Sequence, residues 1–225
     1  MTPGAQGLPR PLEAASNERR RSSPKREQRE GGSAATIAFG FRVKSGYAIA
    51  VALRGPASAP EVVARRVVEL SDPASPETRQ PYHDGFYAQQ NDAREIARRL
   101  KMVEGCAKRS VTSLLKDGCF AGLRCRGAVL VVGSVIDPKT VGNPHIRAHA
   151  SEGQLFRTVL ADVLRPHGLA CDVIVEKTLA EQAVKGLCRT DAEIKRMVAT
   201  LGKTLGGPWR AEEKAACTAA WLALS

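Results

Sequence analysis

The chain has 225 residues, of which 43% are hydrophobic and only 4% aromatic, and its formal net charge is +11. This length suits one good-sized domain plus a tail. No stretch approaches the roughly 20 consecutive apolar residues of a membrane span, and the amino terminus lacks the apolar segment of a secretory signal. We therefore expect no membrane association. The positive charge favours acidic partners, above all nucleic acid.

The cysteine pattern indicates a reduced protein. The chain has six cysteines: Cys106, Cys119, Cys125, Cys171, Cys188 and Cys217. No two of them form the short C-x-x-C spacing typical of structural zinc sites. Several lie in apolar stretches, where cysteine acts as a small hydrophobic residue. These features predict a cytoplasmic location.

Residues 1–34 differ in composition from the rest of the chain. They are rich in Pro, Gly and Ser, with seven basic and four acidic side chains and almost nothing to bury. The entropy cost of ordering such a segment is not offset by burial, so we predict a disordered basic tail. A dispensable extension is an equally good interpretation. Residues 35–225 are then one folded domain.

The first half of that domain begins with strands. Residues 36–41 and 47–53 are short β-rich runs separated by a hairpin-like turn, and residues 62–70 form a third such run. Residues 71–81, with three prolines, predict a loop. Residues 84–115 have an apolar residue every three or four positions and predict a long helix.

The second half alternates strands and helices. Residues 128–132 are a continuous apolar run, as in a strand buried on both faces, and residues 170–175 are predicted to form another buried strand. Between them, a helix is predicted from Asn143-Pro144 to about Arg165, with the asparagine as its cap. Thr190-Asp191-Ala192-Glu193 forms a capping box that opens another helix, and residues 211–224 form the last one.

The order β-β-β-α-β-α-β-α-α predicts an α/β fold with a mixed sheet and helices on both faces. This is the ribonuclease-H topology. Several motifs strengthen that interpretation: Gly46-Tyr47 at the second strand, Asn143-Pro144 and Gly153 in the helix after the fourth strand, Glu176 after the fifth, and Pro208 to Ala216 at the last helix. Together they resemble Holliday-junction resolvases of the RuvC type over residues 36–224, most strongly after residue 143. A bacterial family shares the Asn-Pro-His and Pro-Trp-Arg signatures, which imply no activity.

The resemblance implies phosphodiester hydrolysis by two metal ions held by three or four carboxylates. Those acids come from the first strand, the fourth strand and the last helix. Here the corresponding positions are Gly40, Gly133, Glu212 and Ala215, so only Glu212 is acidic. One carboxylate cannot compensate the charge of two hard cations. The site is therefore predicted to be degenerate, unless Asp137 reaches back to replace the acid at position 133.

A rebuilt metal site is the alternative. His149 and Glu152 lie three residues apart on one helical face, and His145 lies one turn earlier. With Glu176 and Glu212 they could gather at the carboxyl ends of the strands, where open α/β sheets bind ligands. In that case His149, Glu152, Glu176 and Glu212 would hold Mg²⁺ or Mn²⁺, with Glu152 and Glu212 as catalytic residues. Local hydrogen bonding at the start of the helix is the competing explanation.

Basic residues near the expected cleft are candidate phosphate contacts. They are Arg147, Lys177, Lys185, Arg210 and Lys214. Trp209 either stacks on a base or, more commonly at such a position, anchors the helix by packing. The segment Pro81-Tyr82-His83 either lines the cleft or caps the helix after it.

The sequence thus predicts a nucleic-acid-binding protein of resolvase-like fold with a degenerate nuclease site. An active divalent-metal-dependent endonuclease with a rebuilt site and a non-catalytic scaffold subunit both remain open. The expected partner is structured DNA or RNA. A homodimer is expected by analogy, because a four-way junction has two-fold symmetry.

Overall fold

A computed structural model describes Met1, residues 36–85 and residues 88–225. Its strands are β1 Thr36–Lys44, β2 Tyr47–Arg54, β3 Glu61–Glu69, β4 His83–Asp84, β5 Ala88–Gln89, β6 Arg124–Val132 and β7 Cys171–Val175. Five of them form a sheet in the order β3-β2-β1-β6-β7, and β4 and β5 pair separately. The predicted basic tail, residues 1–34, lies outside the described residues apart from Met1.

The sheet is mixed. Strands β1, β2 and β3 pair in antiparallel fashion, whereas β6 runs parallel to β1 and β7 parallel to β6. Gly46, at a φ of +85°, makes the tight turn between β1 and β2. Because β1, β6 and β7 point the same way, their carboxyl ends meet at one edge. This confirms the predicted ribonuclease-H-like α/β fold.

Helices cover both faces of the sheet. They are α1 Ala93–Leu115, α2 Pro144–Leu164, α3 Leu179–Leu187, α4 Asp191–Leu205 and α5 Ala211–Leu224. Side chains alternate across a strand, so Ile37, Phe39 and Phe41 of β1 bury against α1 and α2. Ala38 faces the opposite way, towards the layer that contains α3, α4 and α5, in which Trp221 is fully buried.

Local capping signals explain why the starts of helices α2 and α4 were predicted correctly. Asn143 caps α2 by accepting a hydrogen bond from the Ile146 amide, and the Thr190–Glu193 capping box opens α4. The prediction of one helix over residues 84–115 was wrong at its start. Asp92 accepts hydrogen bonds from the amides of the first turn, so α1 begins at Ala93.

Two elements were not predicted. The β4–β5 pair occupies part of the segment expected to be helical. Helix α3 follows β7 through a short 3₁₀ turn, and Thr178 before it makes no side-chain cap. Thr178 and Glu181 have the spacing of a capping box, but the Thr178 hydroxyl donates to the carbonyl oxygen of Val175 instead. None of the helices in the described residues is long and apolar enough to cross a membrane.

Candidate functional site

Arg42 occupies the carboxyl end of β1 on the face towards α5. Its side chain is only 6% exposed, and its Nε and Nη2 atoms lie 3.3 and 2.5 Å from the two carboxylate oxygens of Glu176. Its Nη1 atom donates to the carbonyl oxygen of Val43 at 2.8 Å. The pair is bidentate, the strongest arrangement of arginine with a carboxylate. Glu176 is therefore bound to a cation of the chain itself.

Glu212, at the start of α5, has a similar arrangement. The Nζ atom of Lys44 lies 3.3 Å from one carboxylate oxygen, and the hydroxyl of Tyr47 donates to the same group at 3.3 to 3.4 Å. Burial, and then the negative charge of Glu212, raise the pKa of the Tyr47 hydroxyl. The tyrosine consequently remains a hydrogen-bond donor to this carboxylate at neutral pH.

The first-strand position has no room for an acid. A Cβ atom built on Gly40 would lie 1.9 Å from the carbonyl oxygen of Ala216 and 2.3 Å from the amide nitrogen of Ala220. The backbone of α5 therefore lies directly against β1 at this point. The other two positions are the exposed Gly133 and the buried Ala215.

These residues do not fit a pair of Mg²⁺ or Mn²⁺ ions. Such ions need several carboxylates whose charge is available to them. Here Glu176 and Glu212 are each bound to a cation, Arg42 and Lys44 respectively. The cleft thus presents positive side chains where the resemblance predicts metal ions.

A cavity of about 230 Å³ marks this cleft at the carboxyl ends of β1 and β6. It is lined by Arg42, Val43, Lys44, Ser45, Val132, Gly133, Ser134, His149, Gly153 and Phe156. Two cations, two hydroxyls and an imidazole converge there, and the lining contains no carboxylate. We call this cavity and its lining residues the basic cleft.

A second group of polar side chains lies beside the basic cleft, on the α2 side of the sheet. His145 and His149 occupy successive turns of α2, and His83 comes from β4. One ring nitrogen from each lies within 4.8 Å of the others, the only such group of three metal-ligating side chains in the described residues. The Nε2 atoms of His145 and His149 are 3.2 Å apart. We call these three residues the histidine cluster.

Glu152 lies beneath the histidine cluster and is 1% exposed. Its Oε1 atom lies 2.7 Å from Nδ1 of His83, and its Oε2 atom lies 3.4 Å from Nδ1 of His149. Burial raises the pKa of Glu152 to about 7, against the opposing effects of His149 and the Tyr82 amide. Burial also lowers the pKa of His83, since a charged imidazole is disfavoured away from water.

The backbone around His83 is held in place by α1. Arg99 donates from Nη1 to the carbonyl oxygen of His83 at 2.8 Å, and its Nε atom donates to Glu95 at 2.7 Å. The amide of Gln90 donates to the carbonyl oxygen of Tyr82. The ring of His83 is thereby directed towards α2. Its Nε2 atom is buried and has no hydrogen-bond partner within the described ranges.

The four residues predicted to hold a metal ion lie in different parts of the structure. His149 and Glu152 do come together, but Glu176 and Glu212 are not part of a group of three or more ligating side chains in the part of the chain that is described. The four predicted ligands are thus not brought together as one group in this structure. His83 lies beside His149 and Glu152 instead, and its only sequence signal was its position before a helix expected to border the cleft.

The predicted phosphate contacts differ in their availability. Arg147 donates to Gln89 and to the carbonyl oxygen of Val141, which fixes the start of α2. Lys185 forms an ion pair with Glu181 at 2.7 Å. Four of the five candidates have exposed side chains: Lys177, Lys185, Arg210 and Lys214.

Trp209 packs against the protein. Its Nε1 atom donates to the carbonyl oxygen of Val198 at 2.9 Å. A Cβ atom on Gly202 would lie 2.4 Å from the indole ring, so the ring covers this glycine of α4. The packing interpretation of Trp209 agrees with these contacts.

Comparisons with known proteins find similarity in solved structures. Two RuvC structures from Thermus thermophilus, one in complex with a Holliday junction substrate, match with TM-score 0.49 and 10% identity. They cover 83% of this chain and 91% and 92% of their own chains. A Ppx/GppA family protein from Aquifex aeolicus matches with TM-score 0.34 and 15% identity, over 66% of this chain and 38% of that chain. No protein-family model and no curated protein matches.

Proposed function

We propose that this protein binds nucleic acid at the basic cleft and does not hydrolyse phosphodiesters by the two-metal route. The observation that carries the proposal is the Arg42 guanidinium at the carboxyl end of β1, bound to Glu176. A ribonuclease-H-like fold places its carboxylates and metal ions at this edge of the sheet. Here three of the four acid positions carry Gly or Ala, and Arg42 and Lys44 lie at the same edge. This arrangement offers cations to phosphate and lacks the carboxylates that would hold ions to activate water.

The electrostatics support binding. The chain carries a formal net charge of +11, and charge of this size attracts nucleic acid regardless of sequence. Lys44 is 39% exposed and its partner Glu212 is 33% exposed, so a phosphate can compete for the ammonium group. Exposed ion pairs contribute only about 0–1 kcal/mol, which makes such an exchange inexpensive. Ser45 and Ser134 add hydroxyl donors to the same cleft.

The alternative of an active endonuclease built on His149, Glu152, Glu176 and Glu212 requires more change. Glu176 would have to leave Arg42, and the 6% exposed guanidinium would then be buried without its carboxylate. Separating a buried ion pair in this way is costly. The scaffold interpretation predicts neither binding nor cleavage.

Binding to labelled four-way junction, flap and duplex DNA and to structured RNA, measured over a range of salt concentrations, tests the proposal. We expect salt-sensitive binding to at least one of them and no cleavage in Mg²⁺ or Mn²⁺. Lys44→Gln should reduce the slope of log K against log salt by about 0.9 for duplex DNA, the value for one phosphate contact. Lys195→Gln, an exposed lysine on α4 paired with Asp191, serves as the matched control.

Two results would overturn the proposal. Divalent-dependent cleavage that is lost in Glu152→Gln or Glu212→Gln would establish a rebuilt nuclease. The absence of salt-sensitive binding to every substrate, together with a stable protein partner, would favour a scaffold. The predicted homodimer is tested in the same samples by measuring the mass of the free protein and of its complex.

A further inference from the structure

We propose that the histidine cluster binds one divalent transition-metal ion of the Zn²⁺ class, with His83, His145 and His149 as ligands and Glu152 as the carboxylate that orients them. This site lies outside the two-metal chemistry that the fold implies. The two sites share His149, which also lines the basic cleft, but metal binding by the three imidazoles does not require nucleic-acid binding.

The spacing of the ring nitrogens fits a shared ion. Zinc binds histidine nitrogen at about 2.0–2.1 Å in tetrahedral geometry, which places two ligand nitrogens roughly 3.3–3.4 Å apart. The Nε2 atoms of His145 and His149 are 3.2 Å apart. A nitrogen of His83 lies within 4.8 Å of both, so this ring has to move closer to α2 to complete a three-nitrogen site.

Glu152 binds one of the three ligands, His83, and lies close to a second, His149, with which its Oε2 atom makes no hydrogen bond. Its two oxygens face the Nδ1 atoms of His83 and His149, at 2.7 and 3.4 Å. A carboxylate at Nδ1 favours the tautomer with its proton there, which leaves the Nε2 lone pair free for a metal. Carboxylate–histidine–metal arrangements of this kind are the usual outer shell of zinc sites.

The Nε2 atom of His83 is the second, independent indication. The residue is 5% exposed, and this nitrogen has no hydrogen-bond partner in the described part of the chain. Buried polar atoms almost always have a partner, since leaving one without costs free energy. A metal ion between the three rings would provide that partner.

The charge near the histidine cluster and the access of solvent to it also suit a bound metal ion. The Glu152 carboxylate lies close enough to compensate part of the charge of a divalent ion. A cavity of about 540 Å³ opens onto the histidine cluster, lined also by Glu77, Gln80 and Arg99. The guanidinium of Arg99 is bound by Glu95 at 2.7 Å, which reduces its repulsion of a cation. Three imidazoles select Zn²⁺, Co²⁺ or Ni²⁺ over Mg²⁺, which prefers oxygen ligands.

Metal titration of the full-length chain tests this site. After chelator treatment and dialysis, Zn²⁺ and Co²⁺ are titrated by calorimetry, and the Co²⁺ complex is examined by visible absorption. We expect one ion per chain and the intense visible bands of tetrahedral cobalt. Mg²⁺ should give no binding heat.

Histidine variants identify the ligands. The side chain of His149 is 48% exposed, so His149→Ala should fold normally and lose more affinity than the about 10–100-fold caused by removing an outer-shell partner. Glu152→Gln should lose about 10–100-fold. His167→Ala is the matched control, because His167 is the fourth histidine of the chain and lies exposed after α2. It should leave the affinity unchanged.

The proposal fails if His149→Ala and His167→Ala bind the metal with equal affinity. It also fails if the Co²⁺ complex shows the near-ultraviolet charge-transfer absorption of thiolate ligands, since that would assign the ion to cysteines. Circular dichroism of each variant distinguishes loss of the site from loss of the fold.

Discussion

The Nδ1 atom of His83 lies 2.7 Å from Oε1 of Glu152, although 69 positions separate the two residues in sequence and both side chains are almost fully buried. This contact joins the segment before α1 to the middle of α2. Two ionisable groups buried together are stabilised only as a pair, because either one alone would lack its partner.

Glu152→Ala should lower the free energy of unfolding by about 1–3 kcal/mol, since it leaves the buried Nδ1 of His83 without a partner. Glu152→Gln, which keeps a hydrogen-bonding oxygen, should lower it less. Urea unfolding followed by circular dichroism measures both. Glu181→Ala is the control, because Glu181 forms an exposed pair with Lys185, and it should change stability little. Equal effects of Glu152→Ala and Glu181→Ala would contradict the prediction.

The amino end of α1 should contribute to stability in a pH-dependent way. Hydrogen bonds from Arg98 and then Arg99 lower the pKa of Glu95 to about 2, from an ordinary value of 4.5. A lowered pKa means that the folded state binds fewer protons than the unfolded state in this range. The stabilisation is therefore complete above about pH 4.5 and is lost as the pH falls through about 2.

Glu95→Gln should accordingly be destabilised at neutral pH and show a smaller loss of stability on acidification between pH 4.5 and 2. Urea midpoints measured at several pH values in this range provide the comparison. Glu104→Gln, at an exposed position of the same helix, should retain the acid sensitivity of the unmodified protein. An unchanged pH profile in Glu95→Gln would show that the Arg98 and Arg99 contacts contribute little.

The two carboxylates at the basic cleft should restrain binding. Glu212→Gln releases the exposed Lys44, and Glu176→Gln removes the charge that neutralises the buried Arg42. Each should strengthen binding to duplex DNA, and Glu212→Gln should steepen the salt slope by up to about 0.9. Glu176→Gln should also lower stability, because it leaves Arg42 buried without its carboxylate. Glu61→Gln is the control, since it makes the same change of net charge next to Arg54, at the opposite end of the sheet. Weaker binding in both cleft variants would favour a metal-ligand role for these acids.

Trp209→Ala should destabilise the protein without weakening nucleic-acid binding. The indole covers Gly202 and donates to the carbonyl oxygen of Val198, and it is partly exposed. We expect a loss of about 2–3 kcal/mol, less than for a fully buried tryptophan. Thermal unfolding and a binding titration measure the two effects separately. A large loss of affinity in a stable variant would instead identify Trp209 as a base-stacking residue.

Much of the fold could be predicted because its signals are local. The Gly46 turn, the Asn143 cap and the Thr190–Glu193 capping box each act within a few residues, and all three lie where the sequence indicated. Helix α3 was missed although Thr178 and Glu181 have capping-box spacing, and the Thr178 side chain makes no cap in the structure. The start of α1 was misplaced because periodicity alone cannot distinguish a cap from the helix body.

The candidate site could be predicted only in part because its contacts are distant in sequence. The spacing of His145, His149 and Glu152 on one helix was visible, since it depends only on helical periodicity. The contact of His83 with His145 and His149 arises from tertiary structure. So does the ion pair between Arg42 and Glu176, which are 134 positions apart. The sequence shows that a carboxylate is present. Only the tertiary structure shows whether a nearby cation already occupies it.

The contact between Gly40 and α5 has an evolutionary consequence. Because helix backbone, rather than a movable side chain, fills the space above Gly40, an aspartate there requires α5 to move away from the sheet. Such a shift would disturb the close-packed layer around Trp221. An acid at position 40 therefore needs more than a single substitution, because the packing of α5 against the sheet would have to change with it.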